Sequence, residues 1–311
     1  MSVARPPTRE ALRSALHRCI TGEGGAPLRA RHDGTLLGEA FFGAPLAGPP
    51  GRLHGGLHAY ARVVSVLRAL RGEEALAEAF PLRCSLRLER PLLLETALHF
   101  EGTYREDAHG FALTTRFMDT PKLDAHAESA GPLGPDAVAP FRELVERTAH
   151  EPSRTLMIRD SFPVMAYTSG CIMTVDEAFL ALPRNELAAT VRVDGGLDAA
   201  FTCVALDWIG AIGMGVRWQA RLYTTHLSLH LAVDRIPHEE RLLVVVDCTR
   251  PEVDPEQPLD PVVLHGEPVR ATSLPVALLS GDLQRAYATG RVTLLPLAGQ
   301  TERLGAPLPA R

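Results

Sequence analysis

Twice along this chain a turn containing a glycine pair leads into a long apolar segment and then into short alternating runs, and this repetition limits the fold more than any other feature. The first pass opens at Gly51-Arg-Leu-His-Gly-Gly56. Pro49, Pro50 and Gly51 end what precedes. Leu57, Tyr60, Ala61, Val64, Leu67 and Leu70 then recur at three- and four-residue intervals, the period of a helix with one buried face. The helix continues through Glu73–Phe80 with a break near Gly72. Leu82–Arg90, Ala97–Tyr104 and Phe111–Met118 follow as half-buried strands; in the first, Leu82, Cys84, Leu86 and Leu88 share one face and Arg83, Ser85, Arg87 and Glu89 the other.

The second pass repeats the order. Leu187–Asp194 reads as a strand, Gly195-Gly196 as a turn, and Ala199–Trp218 as a helix. Tyr223–Val233, Arg241–Cys248, Val262–Leu264 and Val269–Val276 read as strands. Between the passes lie a linker at Gly131–Pro135 and a helix at Pro140–His150. A helix over residues 8–20 with Thr8 as N-cap and a strand at Thr35–Phe42 precede the first. The halves also share residues: Cys84-Ser-Leu-Arg-Leu-Glu-Arg-Pro91 after the first helix, Leu227-Ser-Leu-His-Leu-Ala-Val-Asp-Arg-Ile-Pro237 after the second. The predicted class is α+β, divided into residues 1–150 and 151–311, each half a long helix wrapped by an antiparallel sheet.

The 311 residues and 46% hydrophobic content supply two ordinary cores. A formal net charge of −5 and the lack of any run of five basic residues argue against nucleic acid as a partner. No stretch approaches a membrane span and the first residues lack the apolar core of a signal peptide, so a cytoplasmic protein is expected. Five cysteines, odd in number and without a Cys-x-x-Cys pair, indicate neither a disulfide framework nor a zinc site. No cofactor motif is present.

Gly55 and Gly56 open the first helix where backbone N–H groups have no intrahelical partner and the helix dipole is positive, a place for a negative oxygen. His54 and His58 have a spacing that metal ligands also use, but no third ligand follows, and no metal is expected. His54 fits better as a residue that closes the helix start.

A long helix wrapped by an antiparallel sheet, duplicated in tandem, with His54-Gly-Gly56 at the first helix, resembles the double-hotdog acyl-CoA thioesterases, the TesB-like group. The resemblance spans most of residues 30–280. Gly51–Gly56 and the helix after it look like that group's glycine-pair segment, and Leu82–Pro91 looks like its second strand. Val204-Ala-Leu-Asp-Trp-Ile-Gly-Ala211 resembles the segment where an aspartate sits in the second helix, Tyr223-Thr-Thr-His-Leu-Ser228 the strand that carries a threonine near it, and Gly266–Pro275 the last strand. Two departures stand out. The group's glutamine on the last strand has no counterpart, Leu274 or Pro275 taking its place, and Val63 stands where single-hotdog relatives carry a carboxylate on the first helix.

The resemblance implies hydrolysis of an acyl-CoA or acyl-carrier thioester. That reaction needs an oxyanion site, a positioned water and a carboxylate or similar base. Gly55 and Gly56, with His54, would supply the first. Asp207 is the only acidic residue between Ala199 and Ala220, and it would orient the water. Capping of a helix starting at Trp208 is the competing role for it. Thr224 and Thr225 are adjacent on a strand, so at most one is expected to join Asp207. Two alternatives keep the fold: a hydratase or dehydratase with His54 or His226 as acid/base, and an acyl-binding protein without catalysis. Cys171, in the polar turn Tyr167–Cys171, is a weaker nucleophile candidate. A homodimer is a further expectation.

Overall fold

The two copies of the Ser-Leu-x-Leu repeat lie against each other. In the computed structural model the first sits on β3 (Leu82–Arg87) and the second on β10 (Leu222–Leu231), paired antiparallel with Ser85 opposite Ser228, Leu86 opposite Leu227 and Cys84 opposite Leu229. A motif facing its own copy in antiparallel register places the pseudo-twofold axis of the chain between those two serines. The repeat is therefore the seam between the halves.

The structure describes residues 18, 28–46, 52–88, 92–118, 124–149, 153–156, 178–181, 188–194, 197–218, 220, 222–253 and 260–296. The expected helix at 8–20, the turn at Gly195-Gly196 and the Tyr167–Cys171 turn lie outside these, apart from Arg18.

On one side of the seam run β1 (Arg29–Ala30), β2 (Thr35–Phe41), β4 (Ala97–Asp107), β5 (Gly110–Phe117) and β6 (Asp124–Ser129), in the order β1-β2-β4-β5-β6-β3. On the other side are β7 (Ser153–Leu156), β8 (Ala178–Ala181), β9 (Ala188–Asp194), β11 (Arg241–Asp247), β15 (Thr272–Ser280) and β16 (Ala286–Pro296), in the order β10-β16-β15-β11-β9-β8-β7. β12 (Glu252–Val253) adds to β15, and β13 (Val262–Leu264) and β14 (Glu267–Val269) form a separate hairpin. Among the described residues every strand pairing is antiparallel, and the halves share one continuous sheet. The expected strand at Val269–Val276 is split, because Val269 closes the small hairpin and β15 starts only at Thr272. β6 and β16 were not expected: β6 turns only the small Ala125 and Ala127 inward, and β16 ends in five consecutive buried residues without alternation.

Helix α1 (Gly55–Arg71) is followed at Gly72, whose φ of 83° ends it, by the single turn α2 (Glu73–Leu76). Helix α3 is Ala139–Ala149 and helix α4 is Ala199–Trp218. Residues 56–67 of α1 and 199–215 of α4 are buried, because each helix lies between the sheet and the other helix. They cross at Gly56: a methyl group there would lie 2.4 Å from the Cys203 carbonyl oxygen and 2.7 Å from Val204 Cα. Only glycine lets the two backbones approach this closely.

One apolar core runs through both halves. A smaller one forms where Val138, Phe141 and Leu144 pack on Leu243, Val245, Ala277 and Leu279, the opposite face of the second half's sheet. Cover on both faces explains why β11 reads as the unbroken run Leu-Leu-Val-Val-Val. Among the described residues no helix is long and apolar enough to cross a membrane.

Candidate functional site

The start of α1 is where the halves exchange polar contacts. His54 is its N-cap, with extended backbone (φ −67°, ψ 134°), and its N–H donates to the Leu46 carbonyl at 3.2 Å. Nine residues into α4, Asp207 projects across the helix crossing, and its Oδ2 lies 3.0 Å from the Gly56 nitrogen and 3.0 Å from His54 Nδ1. The Gly56 nitrogen is also 3.1 Å from His54 Nδ1. On the other side of the carboxylate, the Thr224 hydroxyl donates to Asp207 Oδ1. His54 and Asp207 are each 5% exposed, whereas Gly55 and Thr224 are half-buried and form the more open side of the cluster.

These distances bear on where the imidazole proton sits. An unprotonated Nδ1 would set its lone pair against a carboxylate oxygen at 3.0 Å, which is repulsive; a proton on Nδ1 makes the contact a charge-assisted hydrogen bond. Gly56 N–H reaches both His54 Nδ1 and Asp207 Oδ2, and a proton placed on Nδ1 would donate to that same Oδ2 and leave the imidazole lone pair on Nε2. Among the described residues every side-chain polar contact of His54 is made through Nδ1. The arrangement is an imidazole oriented by a carboxylate, a geometry that suits an acid/base group.

Asp207 thus supplies the negative oxygen that the helix start favours. Gly56 N–H is occupied by it, and the N–H of half-buried Gly55 is a first-turn donor without an intrahelical acceptor. Gly55 has no room for a side chain: a methyl group would lie 2.9 Å from Asp207 Oδ2 and 3.0 Å from Thr224 Oγ1.

Asp207 lies inside α4, so it does not cap a helix beginning at Trp208. That role belongs to Asp198, whose Oδ1 accepts from Ala200 N–H and Phe201 N–H at 3.1 Å each. Of the two threonines, the structure brings only Thr224 to the cluster. Thr225 is fully buried and its hydroxyl donates to the Thr293 carbonyl at 3.3 Å. A register shift between Thr224 and His226 re-aims the strand end, so Thr224 meets α4 although Thr225 shares the inward face with Leu227 and Leu229. His226 pairs through Nε2 with Ser85 Oγ at 2.9 Å, on the face opposite the buried Cys84 and Leu86. His58 stacks on Phe117 with centroids 5.7 Å apart. Val63 and Leu274 are buried core residues.

The His54–Asp207 contact is the feature that sequence reasoning missed. The residues are 153 positions apart in the chain, and only the pseudo-symmetry, which crosses the helices at Gly56, brings them together. The signal was present in the glycine pair: two adjacent positions without side chains at a helix start meet α4 and its carboxylate.

No family model and no curated protein matches the sequence. Solved structures do resemble it. A Thermobifida fusca protein named as a candidate thioesterase II has a TM-score of 0.51 at 13% identity, over 92% of this chain and all of that one (100%). The dehydratase domain of the polyketide protein PpsC from Mycobacterium tuberculosis has a TM-score of 0.54 at 12% identity, over 88% of this chain and 98% of that one. The same domain in complex with C12:1-CoA also gives 0.54, at 13% identity and the same coverage. At such identities the likeness carries the fold alone, and with the seam, the single antiparallel sheet and the paired helices it shows that this chain is a tandem double hotdog of the architecture that thioesterase-like proteins and dehydratase domains share.

Proposed function

We propose that the protein hydrolyses an acyl thioester, with His54 rather than Asp207 as the base. The observation that carries the reading is the contact of His54 Nδ1 with Asp207 Oδ2 at 3.0 Å, which leaves Nε2 as the basic atom. Asp207 has both oxygens engaged, one by Thr224 and one by Gly56 and His54, which suits an orienting group better than one that holds water itself. In the proposed reaction His54 Nε2 takes a proton from water and the hydroxide adds to the thioester carbonyl. Gly55 N–H receives the oxyanion at the positive end of α1. The carbon–sulfur bond then breaks, and the proton on Nε2 passes to the departing thiolate.

A second reading is favoured by the presence of a single free imidazole nitrogen. One histidine can carry a proton from the α-carbon of a 3-hydroxyacyl thioester to the leaving hydroxyl, which is dehydration without loss of the thiol. Both reactions fit a CoA or carrier-protein thioester as substrate.

A panel of acyl-CoAs, saturated and 3-hydroxylated, separates the readings when free thiol and enoyl absorbance are followed together. Thiol release by the wild type, falling by about 10²- to 10⁴-fold in Asp207→Asn and in His54→Asn, is the expected result. Enoyl formation without thiol selects the second reading. Full thiol turnover in His54→Asn refutes the role of His54.

A further inference from the structure

One helical turn beyond His54, α1 presents a second polar row. His58, Arg62 and Ser65 occupy one face at four- and three-residue spacing, turned toward the sheet where Phe42, Thr115 and Phe117 lie. They are 2%, 2% and 5% exposed. Among the described residues, His58 Nε2, Arg62 Nε and Nη1, and Ser65 Oγ are buried without a hydrogen-bond partner. The guanidinium lies 4.6 Å from the centre of the Phe117 ring and donates through Nη2 to the Thr115 carbonyl, and among the described residues it forms no ion pair.

An arginine buried this way is costly, because neither a ring face nor one carbonyl balances a full charge taken out of water. Burial pushes its pKa down to about 9, so it remains a cation at neutral pH, and Asp124 acts on it only through space. His58 beside it is held neutral, its pKa lowered well below 6.5 by burial and by Arg62. The row thus carries one positive charge and several unmet donors. Buried water would satisfy the hydroxyl and the imidazole but leave the charge unbalanced. A doubly charged phosphate would exceed it. A single carboxylate matches both the charge and the donors, and the flanking Phe42 and Phe117 suit the apolar chain that would carry it.

We propose that His58, Arg62 and Ser65 form a subsite for a terminal carboxylate on the acyl group, so that the substrates are thioesters of dicarboxylic acids. The inference rests on the reading of the His54 cluster as an acyl-thioester site. Eight residues of helix separate His54 from Arg62, a rise of about 12 Å, so the acyl chain would run along α1 from the thioester to the guanidinium.

Binding of non-cleavable CoA thioethers tests this apart from any reaction: a series of ω-carboxyalkyl-CoAs against alkyl-CoAs of equal length, on wild type and Arg62→Met. The wild type is expected to bind a carboxylated member about 10- to 100-fold tighter, and Arg62→Met to lose that preference while still binding alkyl-CoA. Thermal unfolding of Arg62→Met without ligand should match or exceed the wild type, since a buried unpaired charge is removed. Equal binding of both series by the wild type overturns the subsite and leaves the acyl-thioester reading intact. Failure of the wild type to bind either series overturns both.

Discussion

Adjacent glycines at the start of α1 should fail in different ways, and the contrast tests both the helix crossing and the site. A methyl group on Gly56 meets backbone: 2.4 Å from the Cys203 carbonyl oxygen, 2.6 Å from its carbon and 2.7 Å from Val204 Cα. No rotamer relieves this, so α1 and α4 must separate. Overpacking costs roughly 1–3 kcal/mol, and contact with backbone places Gly56→Ala toward the upper end. Greater helix propensity returns at most about 1 kcal/mol. A net loss of about 2 kcal/mol lowers the melting midpoint by something on the order of 5 °C. A methyl on Gly55 instead meets side chains, Asp207 Oδ2 at 2.9 Å and Thr224 Cβ and Oγ1 at 3.0 Å. These can shift by a few tenths of an ångström at little cost to the fold, but the shift disturbs the carboxylate that orients His54. Gly55→Ala should keep its melting midpoint within about 2 °C and lose about tenfold or more in thiol release, given how steeply rate falls with misplacement. Calorimetry and turnover on the same preparations decide it. Equal stability loss in both variants, or full activity in Gly55→Ala, refutes the assignment of Gly56 to the crossing and Gly55 to the site.

Thr224→Val removes the hydroxyl that donates to Asp207 Oδ1 and should reduce turnover about tenfold, a donor to a charged group being worth about 1.5–3 kcal/mol; Thr225→Val, whose hydroxyl donates to the Thr293 carbonyl at 3.3 Å, should leave turnover within about twofold. His58 is held neutral in the fold but takes a proton in the unfolded chain below its ordinary pKa of 6.5. Its contribution is therefore present above pH 6.5 and lost as pH falls below it, by up to about 1.4 kcal/mol per pH unit; the difference in unfolding free energy between wild type and His58→Leu, followed by denaturant titration from pH 7.5 to 5, should show that slope. A pH-independent difference between the two proteins would contradict it.

The fold was legible because its signals are local. Leu57 through Leu70 shows the helical period, Leu82–Leu88 the strand period, and Ser85-Leu-Arg-Leu88 with Ser228-Leu-His-Leu231 the duplication that became the seam. The site was legible only as separate parts. His54, Gly55, Gly56, Asp207 and Thr224 were each recognisable as residues of interest, but their pairing depends on two helices crossing at one glycine, and no spacing in a single chain encodes that. The choice of Thr224 over Thr225 depended on a strand irregularity, which alternation cannot predict. Arg62 was invisible for the opposite reason: at its position in the helical period it reads as an ordinary arginine, and only the fold shows it buried with no ion-pair partner among the described residues.

The duplication also explains why the proposed chemistry belongs to one helix start and not to both. A true twofold would give α4 what α1 has: a glycine entry, and a carboxylate from nine residues along the partner helix. Counting from His54 as Asp207 counts from Asp198, the equivalent position on α1 is Val63, which is 1% exposed. With no carboxylate arriving from α1, the first N–H groups of α4 need another acceptor, and Asp198 supplies it from its own chain to Ala200 and Phe201. The first half is the converse case. His54 and two glycines provide no acid of their own, so the N–H of Gly56 is left for Asp207 to bind, and the residue that satisfies the helix also orients the imidazole. Each helix start has one carboxylate, local in the second half and borrowed in the first, and only a borrowed one joins the halves into a site.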